Sequence, residues 1–415
     1  MEGKSIYINR ITTTRRRAYD RKLNLNDGAN AKINRAIAKK LGYILDDFLD
    51  KKLQEREENN SLRSLQLNKN LIDFSSNDYL GLAQSAEAKE AIAQYFLTNN
   101  NYQLGATGSR LLSGNSVFAE ELESELAKFY EAEAGLIFNS GYDANLGLFA
   151  CIAQKGDTII CDEHIHACII DGARLSFAQR FTFLHNDLNS LESKLKNSRG
   201  TIFIAVESVY SMDGDVAPLE EISALAKKYK AHVIVDEAHA TGVIGKNGEG
   251  LVQHLGLQND VFARVVTFGK ALGCHGAVVL GSQKLKTYLI NFARSFIYTT
   301  ALPLHSLVTI KIMYAQMLKK QSIARLMANI RFFKTQFLGT SIHLIQSDSA
   351  IQCLIIPGNV ACKNTALQLQ KQGFDVRPIL SPTVAKGKER LRICLHAYNS
   401  EEDIGGLCAL LKKII

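Results

Sequence analysis

The chain has no Cys-x-x-Cys pair, no internal repeat, no low-complexity tract and no apolar run near the ~20 residues a membrane-spanning helix needs. Its eight cysteines (151, 161, 168, 274, 353, 362, 394 and 408) are scattered, which argues against a disulfide framework. Free thiols in a reducing compartment, the cytoplasm, are expected instead. No signal-peptide h-region is visible; an Arg-rich, Thr-containing start has some likeness to an organelle transit peptide, but Glu2 and Asp20 interrupt it. The densest group of metal-ligating residue types, Cys161-Asp162-Glu163-His164-Ile165-His166-Ala167-Cys168, matches no standard zinc spacing, so no metal is expected. A formal charge of +8 arises from 49 Lys and Arg against 41 Asp and Glu, with clusters at Arg15-Arg16-Arg17 and Arg21-Lys22. Those clusters lack interleaved aromatics or a folded reading module, so nucleic-acid binding is not expected. Mild attraction of anionic substrates accounts for the charge equally well.

What is present is a long, ordinary globular composition: 415 residues, 46% hydrophobic and 22% charged, enough for two domains and a sizeable core. Residues 1–30 read as a flexible basic arm. Ile33, Ile37, Leu41, Ile44, Leu45, Phe48, Leu49 and Leu53 fall at helical spacing and predict one amphipathic helix over 31–57. Leu71-Ile72-Asp73-Phe74 predicts a short strand, so 31–74 forms an N-terminal helix-and-strand segment. Tyr102 to Ser116, with Gly105, Gly108 and Gly114, has the composition of an active-site loop. From Leu136 strands alternate with helices, the strands expected at 135–138, 158–161, 180–184, 201–206, 232–236, 262–267 and 277–281. That alternation predicts an α/β fold over 75–303, a mostly parallel sheet with helices on both faces. Beyond Pro303, helices are expected at 304–319 and 322–337. Strands at 350–356, 375–377 and 390–395 and helices near 363–372 and 400–413 complete a smaller α+β domain, 304–415.

Chemistry concentrates at strand ends. Val265-Val266-Thr267 leads into a turn where Lys270 is flanked by Gly269, Gly273 and Gly276. A lysine held away from solvent gives up its charge more easily, and a neutral amine forms a Schiff base with an aldehyde. A solvated loop lysine is the plainer alternative. Upstream, His232-Val233-Ile234-Val235-Asp236 reads as a buried parallel strand that places a carboxylate at its carboxyl end, where open α/β sheets bind ligands. A carboxylate there can keep a pyridine nitrogen protonated. His239 follows at a distance that lets it turn over the same crevice. Asp236, His239 and Lys270 in this order predict a pyridoxal 5'-phosphate (PLP) site.

Three further loops converge on the same edge. Asn139-Ser140-Gly141-Tyr142 joins a strand to a helix and offers free backbone N–H groups to an anion. His166 sits where a ring can stack on a pyridine, or where it simply ends a helix. Ser211 and an Asp-Gly turn follow the strand ending near Glu207.

These motifs together resemble the α-oxoamine synthase family, PLP enzymes of the aspartate-aminotransferase fold type. The resemblance runs from Phe74 to the C-terminus. It rests on Ser-Asn-Asp-Tyr-Leu-Gly at 76–81, Gly-Tyr at 141–142, His-Ala at 166–167, Ser-Met-Asp-Gly-Asp at 211–215 and Asp-Glu-Ala-His at 236–239. Thr-Phe-Gly-Lys at 267–270, Pro-Thr-Val at 382–384 and Arg-Leu-Arg at 390–392 complete it. It implies that Lys270 is the Schiff-base lysine and moves protons at the substrate α-carbon. It implies also that Asp236 pairs with the pyridinium nitrogen, His239 hydrogen-bonds the phenolic oxygen and His166 stacks on the ring. Gly141, Tyr142, Ser211 and Thr267 would hold the cofactor and its phosphate. Asn77 and Arg392 would bind the amino-acid carboxylate, and Thr383 would line the acyl pocket. Thr299 and Thr300, in Phe-Ile-Tyr-Thr-Thr at 296–300, would complete a neighbouring subunit's site in a homodimer.

The implied reaction is the decarboxylative condensation of an amino acid with an acyl-CoA thioester. L-Alanine and pimeloyl-CoA are the expected pair; sister members take glycine with acetyl-CoA or serine with palmitoyl-CoA, or make an α-hydroxyketone signal. The chain departs from the family at Ala385, where a proline is common, and at Leu380 and Ser381, where Arg-Pro stands in some members. Arg56 is the candidate for the arginine that recognises a dicarboxylic acyl chain. A non-catalytic scaffold subunit is the alternative of another class, and an intact Lys270 argues against it.

Overall fold

In the computed structural model, which describes residues 47–65, 70–342 and 344–415, the β-branched runs become strands that lie inside the protein. The strands are β1 (Ile72–Asp73), β2 (Ala134–Phe138), β3 (Thr158–Asp162), β4 (Gln179–Phe183), β5 (Ile202–Glu207), β6 (His232–Asp236), β7 (Ala263–Thr267) and β8 (Ala277–Gly281). They continue with β9 (Ile351–Ile355), β10 (Phe374–Asp375), β11 (Arg377–Ile379) and β12 (Arg390–Cys394). Seven of them form one sheet in the order β2-β8-β7-β6-β5-β3-β4. Only β8 runs against its neighbours; β3 to β7 are parallel throughout. The fold is therefore α/β and mostly parallel, as the alternation of elements predicts.

Alternate residues supply two cores, one on each face. Phe203 and Ala205 of β5 pack with Ile234, Val265 and Val279 against the helices Gly141–Ile152, Ala167–Leu175 and Gln283–Phe292. Ile204 and Val206 face the other way with Val233 and Val235, against the helices Leu188–Lys196 and Leu219–Tyr229. A sheet buried on both faces has no room for unpaired polar side chains along its strands. The polar residues Asp162, Glu207, Asp236 and Thr267 accordingly sit at strand ends, on the carboxyl edge.

The C-terminal part builds a second, antiparallel sheet, β11-β12-β9, whose core includes Ile351, Cys353, Leu391 and Ile393. The single strand expected at 375–377 is two strands separated at Val376. β10 pairs with β1 and β11 pairs with β12, and a strand divided between two sheets cannot stay continuous. The pairing of Ile72 with Phe374 also anchors the segment after β1, where Cys394 N–H donates to Phe74 O at 2.8 Å and Ala397 N–H to Tyr79 O at 2.8 Å. The helix near 363–372 begins earlier, at Asn359, directly after Gly358 in a left-handed conformation (φ 94°).

The chain divides into two compact units, Met1–Leu65 and Gln66–Ile415. Of the helix expected over 31–57, Asp47–Glu58 is helical and carries Arg56; its earlier turns and the basic arm lie outside the described residues. Among the described residues no helix is long and apolar enough to cross a membrane.

The turn that bears Lys270 depends on one glycine. Gly273 has φ 61° and donates to Lys270 O at 2.8 Å, and a Cβ added to it would lie 2.3 Å from Ala83 N. Gly273→Ala is expected to lower stability by roughly 1–3 kcal/mol, read as a fall in the urea midpoint of the purified protein.

Candidate active site

The carboxyl edge of the sheet gathers five loops, those after β2, β3, β5, β6 and β7, around Lys270. Lys270 Nζ lies 2.7 Å from His239 Nε2, and His239 Nδ1 lies 2.7 Å from the Tyr79 hydroxyl. Tyr79 donates to Asn77 Oδ1 at 3.0 Å, and Arg392 Nη2 donates to the same oxygen at 3.1 Å. The assignment that keeps every one of these contacts a hydrogen bond has Tyr79 donating to Asn77, so that its oxygen accepts from His239 Nδ1–H. That leaves His239 Nε2 as a lone pair facing Lys270 Nζ.

Electrostatics agree with this assignment. His239 is buried, and burial together with the Lys270 and Arg392 charges holds its pKa well below the ordinary histidine range. Burial likewise lowers the Lys270 pKa, an effect that Asp236 and Glu207 oppose and Arg392 reinforces. A neutral imidazole beside a desolvated amine is an arrangement in which Lys270 can lose its proton.

Asp236 ends β6 as a buried carboxylate. Its Oδ1 accepts the Ala238 N–H at 2.9 Å and its Oδ2 accepts Asn145 Nδ2 at 2.6 Å. His166 caps the helix Ala167–Leu175, its Nδ1 accepting the Cys168 N–H at 3.2 Å in a partly buried setting. Burial and the Lys270 charge lower its pKa. Gly141 begins the helix Gly141–Ile152, capped by Ser140 through the Asp143 N–H at 3.0 Å. A Cβ on Gly141 would stand in van der Waals contact with Thr267 at 3.4 Å, so the helix start and the end of β7 are adjacent walls of one cradle. Tyr142 is half exposed, its hydroxyl bonded to Asp171.

The second wall comes from β12. Arg392 is fastened by Nε donating to Ser211 O at 2.7 Å and by Nη1 donating to Cys394 Sγ at 3.1 Å. Asn77, Arg392 and Ser211 therefore meet beside Lys270, Asp236 and His239. Thr383 stands in the exposed loop between β11 and β12, and Thr300 O accepts Asn139 Nδ2 at 2.7 Å from the loop after β2. Thr299 lines a cavity with Arg110, Asn139 and Phe296.

Two participants have no role in the motif reading. Asn145 orients Asp236; its signal is the single amide of the helix, one turn after Gly141. Tyr79 lies inside the Ser76–Gly81 motif, but its partner His239 is 160 positions away. Among the described residues no group of His, Cys, Asp and Glu is placed to hold a metal ion.

The donor set fits PLP. A desolvated amine at Lys270, a buried carboxylate at Asp236 and a neutral imidazole at His239 lie around one crevice. At its end the start of the helix Gly141–Ile152 offers backbone N–H groups.

The family model for aminotransferases of class I and II matches residues 69–411. The chain belongs to that family, and within it to the α-oxoamine synthases of the fold type I PLP-dependent transferases. A curated relative, 8-amino-7-oxononanoate synthase of Emericella nidulans, is 42% identical over 388 residues, 88% of this chain and 94% of that protein. The serine palmitoyltransferase of S. paucimobilis, solved with PLP bound, superposes with a TM-score of 0.81 at 26% identity, over 89% of this chain and 97% of that one. The 8-amino-7-oxononanoate synthase of Francisella tularensis gives 0.73 at 30% identity, over 83% and 98%.

The Ser211 loop rests on a charged cluster that sets a pH dependence. His185 Nδ1 lies 2.9 Å from Asp162 and Nε2 lies 2.7 Å from Asp215. Burial alone would lower its pKa, but the two carboxylates push it up to about 9. A histidine raised above its ordinary value stabilises fully below about pH 6.5 and loses that contribution as pH rises through about 9. His185→Gln is therefore expected to cost roughly 2–3 kcal/mol at pH 6 and far less at pH 10, measured by urea unfolding at both pH values.

Proposed function

We propose that this chain condenses L-alanine with pimeloyl-CoA, releasing CoA and CO2 and forming 8-amino-7-oxononanoate for biotin synthesis. The observation that carries the reading is the Lys270–His239 contact at 2.7 Å above buried Asp236, with Arg392 and Asn77 on the facing wall. The identity to 8-amino-7-oxononanoate synthases over nearly the whole chain supports the choice of substrates.

When bound, PLP supplies an aldehyde that captures amines and a pyridinium ring that stabilises negative charge at the α-carbon. Lys270, Asp236, His239, His166, Ser211, Thr267, Gly141 and Tyr142 would hold it. Asp236, fixed by Asn145 and the Ala238 N–H, presents a carboxylate to the ring nitrogen. His239 keeps Lys270 Nζ in place with its Nε2 lone pair. The Arg392 fork and the Asn77 amide take the alanine carboxylate, which orients its α-hydrogen toward Lys270. Lys270 Nζ removes that proton and returns one to the product carbon, and its lowered pKa suits both transfers. Thr383 would line the acyl pocket.

Assembly and setting are part of the proposal. A homodimer is supported by the loop 296–301, where exposed Tyr298 sits next to Thr299 and Thr300, and Ala301 N–H holds Gly108 O at 3.0 Å, bringing in the 102–116 loop with exposed Leu104 and Leu112. The eight free thiols support a reducing compartment such as the cytoplasm.

Serine with palmitoyl-CoA is the second reading, favoured by the higher TM-score to serine palmitoyltransferase. A grid of L-alanine, glycine and L-serine against pimeloyl-, acetyl- and palmitoyl-CoA separates the readings by CoA thiol release. Release confined to L-alanine with pimeloyl-CoA is expected, and release confined to serine with palmitoyl-CoA would replace the proposal. Lys270→Ala is expected to reduce release by at least ~10³-fold, the range lost with essential proton-transfer groups. Full turnover by that variant would refute the assignment.

A further inference from the structure

Glu207 is a buried carboxyl that the reaction above does not use. It ends β5 in register with Asp236 at the end of β6, so the two side chains leave neighbouring strands on the same face of the sheet. Glu207 is 3% exposed and Asp236 is 6% exposed. Glu207 Oε2 accepts the Ser211 N–H at 3.3 Å, and the backbone N–H of His166 also donates to this carboxyl. Its other oxygen, Oε1, is buried without a hydrogen-bond partner.

We propose that Glu207 is a positioning residue of the crevice: it keeps its proton beside Asp236, so that Asp236 carries the negative charge, and it ties the His166 and Ser211 loops together. Two carboxyls buried side by side cannot both ionise without a large Coulombic and desolvation cost. The proton goes to the group whose anion is held less well. Asp236 has both oxygens engaged, by the Asn145 amide at 2.6 Å and the Ala238 N–H at 2.9 Å. Glu207 has the His166 N–H and a longer bond from Ser211 at 3.3 Å, and its Oε1 is buried with no donor at all. The groups that act on Glu207 are Asp236 from β6, Lys270 from the turn after β7, Cys168 from the helix after β3 and Tyr210 from its own loop. Of these Lys270 alone is a cation, and burial with the Asp236 charge outweighs it, pushing the Glu207 pKa up to about 8. The same carboxyl joins the stacking histidine of one loop to the serine whose carbonyl fastens Arg392. Substituting it therefore reaches both walls of the crevice.

Because this role presupposes PLP in the crevice, the test separates the two. PLP itself is the probe, titrated into full-length wild-type, Glu207→Gln and Glu207→Ala apo-proteins at pH 7 and followed by its visible absorbance. Glu207→Gln keeps the neutral shape and a donor, so its PLP dissociation constant should stay within about threefold of wild type. Glu207→Ala should weaken binding by at least about tenfold. In parallel, unfolding free energies of the apo-proteins are measured from pH 5 to pH 8. A carboxyl whose folded pKa is raised loses stability relative to a neutral amide as pH climbs from the unfolded value toward the folded one. Wild type should therefore lose stability relative to Glu207→Gln across that window.

Equal weakening by Gln and Ala, or a wild-type to Gln difference that does not change with pH, overturns the role of Glu207 and leaves the cofactor reading intact. Absence of PLP binding by wild type overturns both. If Glu207→Ala does not fold, the comparison of wild type with Glu207→Gln decides by itself, through the pH profile.

Discussion

A parallel sheet covered on both faces can carry chemistry only where its strands stop. Along β5 and β6 every interior position is apolar, and the first places that tolerate a charge are Glu207 and Asp236 at the carboxyl ends. The same rule puts Thr267 at the end of β7 and sends the chain into the turn that holds Lys270. Burial at that edge is what changes the behaviour of the groups there. It lowers the pKa of the Lys270 amine and of the His239 imidazole, while Asp236 is held by two donors.

The facing wall obeys a different logic. Arg392 comes from an antiparallel sheet and has to be held over the crevice. The Ser211 carbonyl takes its Nε, Cys394 Sγ takes Nη1, and Asn77 and Tyr79 take Nη2. The Ser211 loop in turn is clamped to the smaller sheet: Ser347 Oγ donates to Gly214 O at 2.8 Å, and Arg390 pairs with Asp213. Arg392 and the strand ends that carry Glu207 and Asp236 are thereby joined through one short loop.

Much of this could be read from residues alone, because strand-end chemistry leaves a local mark. A β-branched run that stops at Asp236 and another that stops before Lys270 announce both their secondary structure and their place on the sheet edge. The register of the strands, the split at Val376 and the antiparallel β8 leave no such mark, since they depend on partners far away in the chain. Asn145 was illegible for a related reason: a lone amide in a helix has no meaning until Asp236 is seen 2.6 Å from it. His239 was placed over the crevice by its spacing from Asp236, but its tautomer follows only from Tyr79, whose own acceptor is Asn77.

The pairing of β1 with β10 bears on how the protein is made. Asn77 and Tyr79 follow a strand whose partner β10 arrives about 300 residues later, as the Ser75 to Asp375 hydrogen bond at 3.0 Å spans 300 positions. Closing so long a loop costs chain entropy before any contact repays it, which places this step late in folding. On the ribosome the seven-stranded sheet can assemble while the substrate wall still waits for its C-terminal half. The nascent chain thus completes the sheet edge that bears Asp236 and Lys270 before the wall of Asn77 and Arg392 can close over it.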